Sequence, residues 1–229
     1  MFYIVISIII IIILIVLFFN KKIEGFNNNI IGYIHVCQKG DWKRSFSMLI
    51  DSIKLSKLYE NTNEIRIGIV NESGKLIEDE ILNDTKFKII YIGKDKEYER
   101  PTLLHMKNAK DHNNTLYYYL HTKGISHFNT EREEVVIKWI NNMLDCNIVN
   151  WKKVVEKLQQ NETYGCNYNN THYSGNFWWA TRKHIDKLPD YIKDYYTAPE
   201  DWVLMNKDNM YCDNNCGDNY IALYPDGFY

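Results

Sequence analysis

Between residues 30 and 120, short apolar segments of two-residue period alternate with segments of helical period, and this alternation constrains the chain more than any other feature. Residues 30–37 read as a first strand. Lys39-Gly40-Asp41 turns the chain, with Asp41 as an N-cap, and Trp42, Phe46, Leu49 and Ile53 lay an apolar stripe along a helix over 42–58. Ile65, Ile67 and Ile69 alternate with Arg66 and Gly68 as a second strand, and 87–92 forms a third. Pro101-Thr102 suits the first turn of a helix. Residues 115–120 form a fourth strand that runs into His121-Thr122-Lys123-Gly124. Strands separated by helices predict an α/β fold, a largely parallel sheet flanked by helices.

The second half carries more helix. Thr130 and Glu133 have capping-box spacing ahead of Val136, Trp139, Ile140 and Met143. Asn150 is expected to cap a helix that buries Trp151, Val154, Val155 and Leu158. Residues 175–180 read as a strand, and Pro199-Glu200-Asp201-Trp202 as a helix start.

Residues 2–19 are apolar apart from Ser7, and the first charge is Lys21. As a helix this run spans about 27 Å, close to a hydrocarbon core. A cleaved signal peptide wants a basic start, a shorter apolar stretch and small residues at the cut; this sequence has no basic start, and Phe18-Phe19-Asn20-Lys21-Lys22 is a poor cleavage site. The expectation is a retained single-pass membrane anchor over 1–22, a linker over 23–29 and one domain over 30–229. Lys21 and Lys22 favour a cytosolic domain, whereas a secretory-pathway enzyme would have the opposite orientation; the side stays open. A net charge of −2 argues against a nucleic-acid partner. The five cysteines leave at least one unpaired in a monomer; Cys212 and Cys216 have the spacing to pair or to share a zinc ion, without a finger-like partner pair. No Walker loop, G-x-S-x-G or H-E-x-x-H occurs.

Ligands of parallel α/β sheets bind at the carboxyl ends of strands. Two such ends carry suitable residues. One holds His35 and Gln38. The other holds His121, Thr122, Lys123 and Gly124, where glycine admits close backbone approach and the lysine offers a point charge for phosphate. The plainer reading is a packed histidine and a solvated lysine. In His172-Tyr173-Ser174-Gly175-Asn176-Phe177-Trp178-Trp179, adjacent tryptophans on a strand point to opposite faces. One is free to line a pocket beside Asn176, an arrangement that suits a sugar; the alternative is that both pack the core. Glu200 and Asp201 suit a helix N-terminus for electrostatic reasons alone, and a carboxylate there is also placed to take a proton from an attacking hydroxyl.

Tyr118–Ser126 (YYLHTKGIS), Tyr173–Ala180 (YSGNFWWA) and Pro199–Trp202 (PEDW) together resemble a family of glycosyltransferases found in large DNA viruses, algae and bacteria, related to viral GT-A-type rhamnosyltransferase domains. Asp41–Phe46 and Pro101–Leu103 are also similar to that family, so the likeness spans roughly residues 30–205. The resemblance implies a GT-A fold and transfer of a hexosyl or deoxyhexosyl group from a nucleotide-sugar donor to a glycan or glycoprotein acceptor. His35, Gln38, His121, Thr122, Lys123 and Gly124 would then bind the donor, and Ser174, Asn176, Trp178 and Trp179 the acceptor. Glu200 would be the catalytic base, with Asp201 in reserve. Many GT-A enzymes hold a divalent metal, Mn or Mg, on a D-x-D motif after the fourth strand. That place is taken here by His121-Thr122-Lys123, so either the metal is held elsewhere or Lys123 neutralises the departing diphosphate itself. The alternatives are a non-catalytic, membrane-anchored carbohydrate-binding protein on the same fold, and a protein-interaction module without a sugar site.

Overall fold

The computed structural model describes residues 29–213. The expected anchor over 1–22, nearly all of the linker, and Cys216 lie outside the described residues. Among the described residues no helix is long and apolar enough to cross a membrane.

In chain order the main elements are β1 (Asn29–Cys37), α1 (Trp42–Leu55), a one-turn α2 (Leu58–Asn61), β2 (Glu64–Asn71), β3 (Phe87–Lys94), α3 (Arg100–Asn108) and β4 (Thr115–His121). There follow α4 (Glu133–Leu144), α5 (Trp151–Lys157), β5 (Thr163–Cys166), the two-residue strands β6 (Tyr168–Asn169) and β7 (His172–Tyr173), β8 (Trp178–Thr181), α6 (Arg182–Lys187), α7 (Ala198–Trp202) and β9 (Met210–Asp213).

Seven strands form one sheet in the order β3-β2-β1-β4-β8-β5-β9. β1 pairs in parallel with β2 and β4, and β2 with β3, as the alternation of strands and helices requires. β8 runs antiparallel to both β4 and β5, and β9 lies parallel to β5. The fold is therefore α/β with a mostly parallel sheet. The chain winds outward from β1 to β2 and β3, then returns to place β4 on the other side of β1, so the strand order reverses between β1 and β4.

Side-chain period two splits the core between the sheet's faces. On one face Ile34, Val36, Ile67, Tyr118 and Trp179 pack with Phe46, Leu49, Ile140 and Val154 from α1, α4 and α5. On the other, Tyr33, Tyr117, Tyr119 and Trp178 pack with Leu103, Met106, Ile185 and Trp202 from α3, α6 and α7.

Several local expectations are corrected. The first helix stops at Leu55, and Lys57 then turns the chain with φ +64°. No capping box forms at Thr130: the helix opens at Glu133, whose carboxylate instead accepts from Asn129 N and pairs with Arg44. Asn150 precedes α5 but donates to the Asp145 carbonyl rather than capping. The strand expected over 175–180 begins only at Trp178, because Ser174–Asn176 is a tight turn with positive φ at Gly175 and Asn176.

Candidate active site at the strand reversal

A cavity of about 580 Å³ opens at the carboxyl edge of β1, β2 and β4. Its wall includes His35, Cys37, Lys39, Val70, four residues of the 95–99 segment (all but Glu97), the 121–127 segment, Arg132, Trp139, Tyr196, Thr197 and Glu200. Three carboxylates (Asp95, Glu99, Glu200) and four cationic side chains (Lys39, Lys96, Lys123, Arg132) line it.

His35 and His121 are register partners on β1 and β4, which brings the two strand ends together in space. His35 Nδ1 meets Thr102 Oγ1 at 2.9 Å, so the start of α3 fixes the ring. Burial pushes the His35 pKa down to about 4, partly offset by the Glu99 charge. Burial, and next the Lys123 charge, push that of His121 down to about 3. Both rings are neutral at pH 7. Thr122 ties the two strand ends: its backbone N donates to the His35 carbonyl at 2.9 Å, and its hydroxyl accepts from Cys37 N at 3.0 Å.

Lys123 extends over the face of Trp139, 4.6 Å from the ring centre, and its Nζ lies 3.7 Å from Glu200 Oε1. Its carbonyl is held by Ser45 Oγ of α1. The bend that aims this side chain depends on Gly124, with φ +72° and no room for a Cβ beside Val136.

Glu200 enters from α7, and its other oxygen lies 3.7 Å from His172 Nε2. Asp201 does not line the cavity. It sits behind His172, with Oδ1 3.6 Å from Nδ1, and accepts from Tyr195 at 3.1 Å. The β6–β7 hairpin thus places an imidazole between the two acids.

Gln38 is also absent from the cavity wall. It is buried, bonding to Asn71 and the Ile77 carbonyl, and pins the loop after β2. The four residues expected to meet an acceptor are buried as well. Ser174 accepts from the Trp139 indole. Trp179 donates to the Asn147 carbonyl, and Trp178 stacks on Tyr119 with ring centres 5.0 Å apart. Both tryptophans are core, one on each face, because a strand buried on both faces leaves neither side for a ligand. Asn176 takes the Trp178 indole N–H on its oxygen and donates through Nδ2 to Glu99. All four are thus buried and off the cavity wall, and Ser174 and Asn176 hold two residues that line it, Trp139 and Glu99.

Glu99 is the residue that sequence reasoning misses. It lies just before α3, and its Oε2 accepts from Tyr119 Oη at 2.7 Å as well as from Asn176. Tyr98 and Tyr196, in edge contact at 5.2 Å, form the rim nearby. Among the described residues no group of three or more His, Cys, Asp or Glu side chains stands close enough together to hold a metal ion. The segment after β4 presents an ammonium rather than a carboxylate, so the residues present do not fit a divalent cation there. Cys212, expected to pair or to bind zinc, is a half-buried thiol that accepts from Tyr168 N.

No protein-family model matches the chain, and no curated protein matches it. Among solved structures, 4-diphosphocytidyl-2C-methyl-D-erythritol synthase from Anaerococcus prevotii DSM 20548 is similar, with 12% identity over 82% of this chain and 89% of that one and a TM-score of 0.47. A likeness this distant carries no functional argument.

Proposed function

We propose that this chain is a membrane-anchored glycosyltransferase that moves a sugar from a nucleoside diphosphate-sugar to a hydroxyl of a glycan or protein acceptor. The observation that carries this reading is the convergence of Lys123 and Glu200 in one cavity at the strand reversal. The HTKG, SGNFWW and PEDW segments support it from the sequence, and the apolar run over 2–19 supports the anchor.

In this reading the Lys123 ammonium meets the diphosphate, with the backbone around Gly124 beside it. The acceptor oxygen attacks the anomeric carbon. The bond from that carbon to the diphosphate oxygen breaks, its electron pair stays on the phosphate, and the acceptor proton passes to Glu200. Before the donor binds, Lys123 faces Glu200; a diphosphate that draws the ammonium away frees the carboxylate to act as base. Donor binding thus precedes acceptor activation. No step runs through a metal ion.

The test is Glu200→Gln, which keeps shape but removes the proton acceptor. Turnover should fall on the order of a hundredfold or more with donor affinity kept, measured by product formation and by calorimetry. Near-normal turnover, or products that retain the donor's anomeric configuration, would remove Glu200 as the base. Binding of nucleotide-sugars without any turnover by the unaltered protein would favour the non-catalytic carbohydrate-binding alternative.

A further inference from the structure

Glu99 and His121 meet at the cavity wall, with His121 Nδ1 3.5 Å from Glu99 Oε1. The other ring nitrogen of His121, Nε2, lies 2.8 Å from the Gly175 carbonyl oxygen. A carbonyl only accepts, so Nε2 carries the hydrogen, and in the neutral ring Nδ1 is a bare lone pair. Neutrality follows from the surroundings. Burial and Lys123 act against the charged form, and the Gly175 carbonyl and Glu200 do not overcome them. His35, the neighbour on β1, is neutral as well.

Glu99 spends Oε2 on Tyr119 and Asn176, and among the described residues no hydrogen-bond donor reaches Oε1. Two acceptors therefore face each other with no hydrogen between them. Both residues line the cavity, so a molecule bound there can bring hydrogens to both acceptors at once in place of solvent. Gly175 makes the arrangement possible: its φ of +62° shapes the turn that turns its carbonyl to Nε2.

We infer that Glu99 Oε1 and His121 Nδ1 form a binding subsite for a vicinal diol, one hydroxyl donating to each acceptor. The inference rests on the nucleotide-sugar reading and deepens it. A lone hydroxyl has one hydrogen and satisfies one acceptor; two hydroxyls on neighbouring ring carbons satisfy both. The transferred sugar and the ribose of a ribonucleotide each carry such a diol.

Glu99→Gln separates the cases, because the side chain is isosteric. The Gln oxygen can keep the bonds from Tyr119 and Asn176, and its amide then turns a donor toward His121 Nδ1. The ligand-free variant should melt no lower than the unaltered protein and at most about 4 °C higher, the upper value being that of one full hydrogen bond in a chain this size. ¹⁵N NMR of histidine-labelled unaltered protein should show His121 Nδ1 unprotonated at pH 7.

Calorimetry with UDP-glucose, UDP and 2′-deoxy-UDP, and with GDP-mannose, GDP and 2′-deoxy-GDP, identifies the source of the diol. Whichever step gains affinity, from nucleoside diphosphate to nucleotide-sugar or from deoxyribose to ribose, Glu99→Gln should lose about tenfold or more of that gain. A lower melting temperature, a protonated Nδ1, or Mn²⁺ broadening of the His121 signal would overturn the subsite. So would nucleotide-sugar binding that Glu99→Gln leaves unchanged, and in that case the transferase reading survives. If the unaltered protein binds none of the six compounds, the donor reading fails and takes the diol subsite with it.

Discussion

Gly124 shows how much of the site rests on one backbone angle. Its φ of +72° bends the chain just after Lys123, and a Cβ there would overlap Val136 Cγ1. Gly124→Ala therefore imposes both a strained backbone and an overlap with α4. A loss of about 1–3 kcal/mol in unfolding free energy is expected by chemical denaturation. Diphosphate affinity should fall with it, because Lys123 is no longer aimed over Trp139. Glu99 carries the opposite lesson. It sits in Lys94-Asp95-Lys96-Glu97-Tyr98-Glu99-Arg100, a run whose composition reads as a solvated loop. Nothing local marks one of its acids as turned inward; only Tyr119 and Asn176, distant in sequence, do so. His121 and Lys123, by contrast, were legible as residues of a cavity wall, because clefts in parallel sheets open at the carboxyl ends of strands.

Among the elements, the parallel strands were legible because each is a short apolar run bounded by turns, and their boundaries moved by only a few residues. The parts that were not legible are those where a side chain had a better partner elsewhere. Glu133 left the capping box for Arg44 and Asn129, and the 174–176 turn replaced the start of a strand because Gly175 and Asn176 adopt positive φ. The same reasoning applies to how the strands are tied. Arg66 on β2 makes a two-point contact with Asp111, at 2.6 and 2.7 Å, and also reaches Tyr33 of β1, while Tyr117 of β4 donates to Asp111. The carboxylate and the guanidinium it holds thus join three strands. Burial alone would raise the Asp111 pKa, but bonds from Arg66 and Tyr117 and the guanidinium charges hold it below the usual carboxylate range. Asp111→Asn leaves a mostly buried guanidinium underpaired, at a cost of about 3 kcal/mol by urea denaturation at pH 7.

For the whole molecule, the buried histidines set the acid limit. A base whose pKa is lowered in the folded state stabilises the fold fully above its unfolded pKa, and that contribution is lost as pH falls toward the folded value. His35 falls from 6.5 to about 4 and His121 from 6.5 to about 3, so stability should decline from about pH 6.5 downward, before most carboxylates titrate. His35 alone accounts for on the order of 3 kcal/mol across that window. Thermal melts from pH 7.5 to 4 should show the decline, and His35→Asn should reduce it to roughly half, with His121 supplying the rest; an unchanged slope would mean that the charge enters elsewhere.

Trp178 and Trp179 have a consequence at this scale as well. They stand side by side on a strand of four residues, one rooted in each half of the core. The two faces of the sheet share that strand as a party wall. Neither face can loosen without withdrawing support from the other, so the domain is built to fail all at once, and the cavity at its edge keeps its shape for as long as the whole stands.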